Sequence, residues 1–288
     1  MAVQYVDRAI RLPTTPEEAG RCLTGEHDGW QMLDSERSTL SAMLASLKPR
    51  CAIEVGVYRA GSLGVLAAHC AKVYALDIDP GCAAANASRF PNVEFITGPS
   101  AQTLPALFER LQESGEPVEF VLIDADHTAA GVRGDVESVL RYRPTKRPLY
   151  VVMHDSFNPE CRRGMKEAPW ETNPHVLAVE LDFVVGMLCG KDEPPGYERA
   201  MWCGLGLAIF FPERRVGQLR IHEREAAHFQ AALRHSRYWS EKWWNPRFSV
   251  PRAARRVRAQ LGTLGRGHAA PVYFALKALR DRLRPRGV

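Results

Sequence analysis

The sequence predicts an α/β fold: a seven-stranded, mostly parallel sheet with helices on both faces, finished by a terminal antiparallel hairpin. Three observations predict it. Short apolar runs alternate with helically periodic segments between residues 35 and 153. The strand runs are apolar nearly throughout, as suits strands buried on both faces of a parallel sheet. After residue 165 two strand candidates follow one another with no helix between them, the pattern of an antiparallel pair.

Residues 1–28 form an N-terminal segment without firm periodicity. Residues 35–47 carry Leu40, Met43, Leu44 and Leu47 at helical spacing, with Asp34 or Ser35 as the expected N-cap. Residues 51–55 are a strand ending at Gly56, residues 63–70 a helix, and residues 72–76 a strand stopped by Asp77-Ile78-Asp79-Pro80. A helix over 83–90, a strand over 93–97, a helix over 101–113, a strand over 118–123, a helix over 131–142 and a strand over 149–153 complete the alternation. Residues 176–187 and 205–211 are the hairpin strands, separated by Pro194-Pro195-Gly196. Gly204 and Gly206 let the backbone bend or approach a neighbour there. This is a Rossmann-like pattern, in which ligands bind beyond the carboxyl ends of the strands.

Hydrophobic residues make up 45% and charged residues 25% of the 288, so a sizeable core needs neither disulfides nor structural metal. The seven cysteines are scattered and never spaced C-x-x-C, which suits reduced structural thiols. No run approaches the roughly 18 apolar residues of a membrane span and the N-terminus lacks a signal-peptide core, so a cytoplasmic protein is expected. The net charge of +5 is concentrated at the end, where residues 247–286 hold many arginines against the single acid Asp281. The expected division is a catalytic domain over 29–212 and a basic helical extension over 213–288.

Gly56 sits in the first strand-to-helix turn, where it permits close backbone approach. The helix amides near Gly61 and Ser62 can hold a carboxylate. Asp77, about twenty residues on at the end of the next strand, can accept hydrogen bonds from both hydroxyls of a ribose. A dinucleotide reading lacks its G-x-G-x-x-G: Val57, Tyr58, Arg59 and Ala60 follow Gly56, and Glu54 is an unusual acid for it.

Glu54-Val55-Gly56-Val57-Tyr58, then Gly61-Ser62, then Asp77, resembles the first two motifs of class I S-adenosylmethionine-dependent methyltransferases, in particular the small-molecule and sugar O-methyltransferase group. The family's second glycine commonly falls where Ala60 stands, with Gly61 one place later. The resemblance covers roughly residues 29–211 and implies S-adenosylmethionine as cofactor. It places Gly56 against the methionine part, Ser62 near its carboxylate and Asp77 on the ribose. With Glu54, Tyr58, Gly61, Ser100 and Asp124 these form the candidate cofactor set. Gly98-Pro99-Ser100-Ala101 resembles the adenine-side loop; Ser100 either bonds the adenine edge or caps the following helix.

Asp124, Asp126 and His127 lie just past the fourth strand, and His154 and Asp155 at the end of the next. Such neighbouring ends can gather a hard divalent ion, magnesium, on Asp124, Asp155 and His154, although imidazole is not its preferred ligand. The same groups can act as a general base on a hydroxyl attacking the sulfonium methyl. The resemblance places acidic metal ligands at Asp124 and Asp155 and the base at Asp126; His154 and His127 are the alternatives. The bland reading is that Asp124 ends a strand and Asp126 caps a helix. Arg162 or Arg163 is either a contact for an acidic substrate group or a solvated surface residue.

The expected function is methyl transfer to a hydroxyl of a small molecule, a sugar or glycosylated metabolite among the options. The alternatives are a non-catalytic cofactor-binding or membrane-associated module and, less favoured, a nicotinamide-dependent oxidoreductase. The basic, aromatic-studded tail reads as a helical extension packed on the domain or on a second copy of the chain, its arginines solvated. An anionic membrane surface is its other candidate partner, and nucleic acid is disfavoured.

Overall fold

The computed structural model describes residues 31–194 and 197–239; the expectations for residues 1–28, and those for the tail beyond 239, lie outside them. The chain divides between Ser236 and Arg237. In chain order the first unit holds α1 (Asp34–Leu47), β1 (Cys51–Val55), α2 (Gly61–His69), β2 (Lys72–Asp77), α3 (Pro80–Asn86), β3 (Val93–Thr97), α4 (Ser100–Ser114) and β4 (Phe120–Ile123). Then come α5 (Ala129–Val139), β5 (Leu149–His154), α6 (Pro159–Glu167), β6 (Val176–Val184), β7 (Met187–Leu188), β8 (Met201–Trp202), β9 (Leu205–Phe210), β10 (Ile221–His222) and α7 (Ala226–His235).

Eight strands form one sheet in the order β10-β6-β9-β5-β4-β1-β2-β3. Only β9 runs against its neighbours β5 and β6, so the expected hairpin is present as the antiparallel β6–β9 pair. The expected count of seven is exceeded by β10, two residues pairing in parallel with β6, too short to announce itself as a strand. β7 and β8 form a separate antiparallel pair.

Because side chains alternate across a strand, each strand feeds two cores. Ile53, Val55, Val121 and Ile123 pack with Leu104, Leu107 and Phe108 of α4, Val132 and Val136 of α5, and Met165 of α6. Ala52 and Leu122 face the other way, onto Leu40 and Leu44 of α1 and Leu63 and Leu66 of α2. Helices therefore cover both faces.

The N-cap of α1 is Leu33, not Asp34 or Ser35, and the Leu33 N–H donates to Glu36 Oε2 at 2.6 Å. The sequence pattern overlooked α6, which Asn158 caps by accepting from the Glu160 and Cys161 amides. Arg162 is neither a surface nor a substrate residue. It is 2% exposed, forks onto both oxygens of Asp182 at 2.7 and 3.0 Å, and lies 4.4 Å from the Phe229 ring centroid. Arg163 pairs with Glu160 on the same helix. Cys51, Cys70, Cys82, Cys161, Cys189 and Cys203 are buried free thiols. Among the described residues no helix is long and apolar enough to cross a membrane.

Candidate active site

The sheet order reverses between β1, whose chain continues to β2 and β3, and β4, whose chain continues to β5. A crevice opens at such a switch point. There the Gly56 N–H donates to Leu76 O at 2.8 Å and the Asp124 N–H to Val55 O at 2.8 Å. Gly56 has φ +90°, and a Cβ on it would stand 2.0 Å from the Asp124 carbonyl oxygen. The close approach that requires glycine here is to the neighbouring strand end. Ala60, the N-cap of α2, adopts the left-handed conformation (φ 62°, ψ 28°) that glycine takes most readily, and Gly61 opens the helix.

Asp77 holds this turn: its Oδ2 accepts from the Val57 and Tyr58 amides at 2.8 and 3.1 Å, and its Oδ1 from the Asp79 amide at 2.8 Å. Burial acts to raise its pKa, but the amide bonds outweigh it and hold the carboxyl below its ordinary value. Oδ2 is thereby fully used, while Oδ1, with one amide on it, has capacity for a further donor. The Ser62 hydroxyl donates to Glu54, which is 0% exposed.

Burial, with Asp124 and Asp77 adding and the Ser62 bond opposing, pushes Glu54 up to about 8. The folded chain thus keeps a proton that the unfolded chain surrenders near 4.5. The resulting stabilisation is complete below that value and is lost as pH rises through about 8. Glu54→Gln, a neutral acceptor for Ser62, is therefore expected to melt several degrees above wild type near pH 9 and level with it near pH 5, read by thermal denaturation.

One cavity of about 1130 Å³ joins this turn to the ends of β4 and β5. Gly56, Tyr58, Gly61, Ser62, Asp77, Ser100, Asp124, Asp126, His127, His154 and Asp155 all line it; of the expected site residues only Glu54 does not. Ser100 is the first residue of α4 and Pro99 its cap, so the capping role expected of Ser100 is not what it does. Its hydroxyl donates instead to Asp135, which is 2% exposed and pushed up to about 6, chiefly by burial.

His127, His154, Asp124 and Asp155 converge. His154 Nδ1 lies 2.9 Å from Asp124 Oδ1, and His127 Nε2 lies 2.9 Å from Asp155 Oδ2. Burial would lower the pKa of His154, but the facing Asp124 and Asp155 raise it well above its usual value. Burial likewise would raise Asp124, and His154 and His127 hold it far below the carboxylate range. Hydrogen bonds to Asp124 and Asp155 push His127 up to about 10. Asp126 stands apart from this cluster: exposed, it accepts from the Thr128 amide at 2.9 Å and the Thr128 hydroxyl at 3.0 Å, while Thr128 caps α5.

Three contributors went unnoticed in the sequence. Glu36 of α1, 0% exposed, sets Oε1 3.3 Å from His154 Nε2. The Cys203 N–H donates to Asp155 Oδ1 at 2.5 Å, holding Asp155 at φ 58°, a conformation rare outside glycine and concentrated at functional sites. Trp202 walls the cavity edge-on to His127, ring centroids 5.6 Å apart, with its indole nitrogen buried and unpartnered. Only the helix-start position of Glu36 carried a local signal, and that signal spoke of capping.

The Asp124, His127, His154 and Asp155 cluster offers a cation two carboxylate oxygens and two imidazole nitrogens, and among the described residues a second, buried group of Glu36, His154 and Cys203 shares His154 with it. Magnesium, which prefers oxygen ligands and retained water, fits this set poorly.

Residues 53–156 match the family described as a methyltransferase domain. The sheet order with its single reversed strand is that of the Rossmann-like methyltransferase fold. Solved structures similar to the chain include cofactor-bound Rv0187 from MTB, at 18% identity over 74% of this chain and 96% of that one, TM-score 0.48. Another is the O-methyltransferase from Bacillus cereus in complex with SAH, at 17% identity over 72% and 96%, TM-score 0.47. No curated protein matches the chain.

Proposed function

We propose that this chain transfers the methyl group of S-adenosylmethionine to a hydroxyl oxygen of a small molecule, a sugar or glycosylated metabolite being the class favoured. The observation that carries this reading is the continuous cavity that runs from Asp77 and the glycine turn to Asp126. Its volume suits a cofactor and an acceptor together. Asp77 offers the remaining capacity of its Oδ1 to the ribose, and Ser100, beside Asp135, lies on the adenine side. The acceptor oxygen attacks the sulfonium methyl carbon, the C–S bond breaks, and S-adenosylhomocysteine leaves with the electron pair. The hydroxyl proton passes to the Asp126 carboxylate.

Asp126 is favoured over the histidines because neither has a free lone pair toward the acceptor. His154 is flanked by Asp124 at Nδ1 and by Glu36 at Nε2. His127, raised to about 10, is protonated near neutral pH and cannot take a further proton.

Calorimetric titration tests the cofactor. S-adenosylhomocysteine is expected to bind one site, NAD not at all, and Asp77→Ala to weaken S-adenosylhomocysteine about 100-fold through lost charge-assisted hydrogen bonds. Absence of S-adenosylhomocysteine binding to the wild-type chain would sink the reading. The acceptor follows from a mass-spectrometric screen of hydroxylated metabolites for gain of one methyl group.

A further inference from the structure

We propose that Asp124, His127, His154 and Asp155 form a binding site for a transition-series divalent cation of the manganese, iron or zinc kind, rather than magnesium, and that Glu36 orients His154 within it. The proposal deepens the functional reading, resting on it for what the ion does but not for whether it binds.

Four donor atoms close a ring. His127 Nε2 is 2.9 Å from Asp155 Oδ2 and 3.5 Å from Asp124 Oδ1. His154 Nδ1 is 2.9 Å from Asp124 Oδ1 and 3.6 Å from Asp155 Oδ2. Each imidazole nitrogen thus faces both carboxylates, whereas one N–H can be aimed well at only one acceptor. A central cation satisfies all four atoms together. Metal–ligand bonds near 2.1 Å set neighbouring donors about 3.0–3.5 Å apart, which is the scale of these four edges.

Glu36 supplies an independent observation. It comes from α1, far from both strand ends in sequence, and is 0% exposed. Its Oε2 is taken by the Leu33 amide, while Oε1 faces His154 Nε2 at 3.3 Å, with the Cys203 thiol also beside His154. A proton on Nε2, directed at Glu36, leaves the Nδ1 lone pair aimed at the ring. That is the carboxylate–histidine–metal arrangement in which an outer acid fixes the tautomer of a ligand. On the opposite side the Cys203 amide occupies Asp155 Oδ1, leaving Oδ2 toward the histidines.

The donor chemistry selects the ion. Two imidazoles beside two carboxylates suit manganese, iron, cobalt or zinc, and magnesium gives up water reluctantly to such a set. An ion there would polarise an acceptor oxygen.

The test uses the full-length chain stripped with chelator. Equilibrium dialysis with elemental analysis is expected to find about one equivalent of manganese or zinc retained, with magnesium at least about tenfold weaker. Cobalt should give the visible d–d bands of an imidazole-containing site. Glu36→Gln is expected to weaken manganese about 10–100-fold while S-adenosylhomocysteine affinity stays at the wild-type value. His127→Gln, at a half-exposed position, should weaken manganese comparably and guards against a folding defect at buried Glu36. Absence of stoichiometric ion from a chain that binds S-adenosylhomocysteine normally would overturn the site and leave two histidine–carboxylate ion pairs. Equal affinity for magnesium would overturn the choice of ion. Ion binding without S-adenosylhomocysteine binding would uphold the site and sink the methyltransferase cofactor reading instead.

Discussion

Asp126→Asn is expected to lower kcat for methyl transfer about 10²–10⁴-fold, the usual contribution of a general base, with S-adenosylhomocysteine affinity unchanged. The substitution is nearly isosteric, and an Asn carbonyl still accepts from the Thr128 amide that positions Asp126 at 2.9 Å. What it removes is the anionic oxygen that receives the acceptor's proton. The neighbouring histidines offer no ready substitute, since carboxylates flank both nitrogens of His154 and His127 is held protonated near neutral pH. Single-turnover kinetics with the acceptor from the screen separate chemistry from binding. Unchanged turnover would move the proton acceptor elsewhere in the cluster.

Gly56→Ala is expected to cost on the order of 3–5 kcal/mol of stability and to abolish cofactor binding. The new methyl would lie 2.0 Å from the Asp124 carbonyl oxygen, 2.6 Å from its carbon and 2.9 Å from Ala125 Cα, all backbone atoms that no rotamer change can move aside. The φ of +90° adds strain for any L side chain. Relief requires the ends of β1 and β4 to separate, which displaces the turn held by Asp77 and the carboxylate of Asp124 together. Chemical denaturation and S-adenosylhomocysteine titration read the two effects. Gly134→Ala is the matched control: it lies in α5 with nothing within 4 Å of an added Cβ, so stability should hold or rise slightly. Equal stability of Gly56→Ala and wild type would contradict the described approach of the two strand ends.

The alternation of elements was legible because each strand and helix of the sheet's first half writes its own periodicity into a few consecutive residues. β1 and β3 fall at the expected residues, and β2 and β5 within one. α6 was illegible because its buried face, Cys161, Arg162, Gly164 and Met165, includes an arginine, neutralised by Asp182 and covered by Phe229, where an apolar residue would mark a helix. β10 is two residues long and exists only because β6 offers it an edge.

Gly56 illustrates the same boundary within the site. Its presence in the turn was plain from the sequence, but the reason for it, the Asp124 carbonyl across the sheet, belongs to strand pairing. The gathering of Asp124, His127, His154 and Asp155 was likewise foreseeable, because parallel neighbours deliver their carboxyl ends to one rim. Which atoms face which was not. Glu36 reaches His154 from another helix, and Cys203 and Trp202 close the site from a later strand pair, contacts set by packing over long sequence separations. By itself, then, the sequence determined the alternating elements from α1 to β5, their parallel arrangement and the rim that carries the polar groups, since those follow from local periodicity and from the handedness of the chain. The tertiary structure alone decided the partners of each carboxylate and imidazole, because hydrogen-bond and ion-pair geometry depends on positions in space that no local pattern encodes.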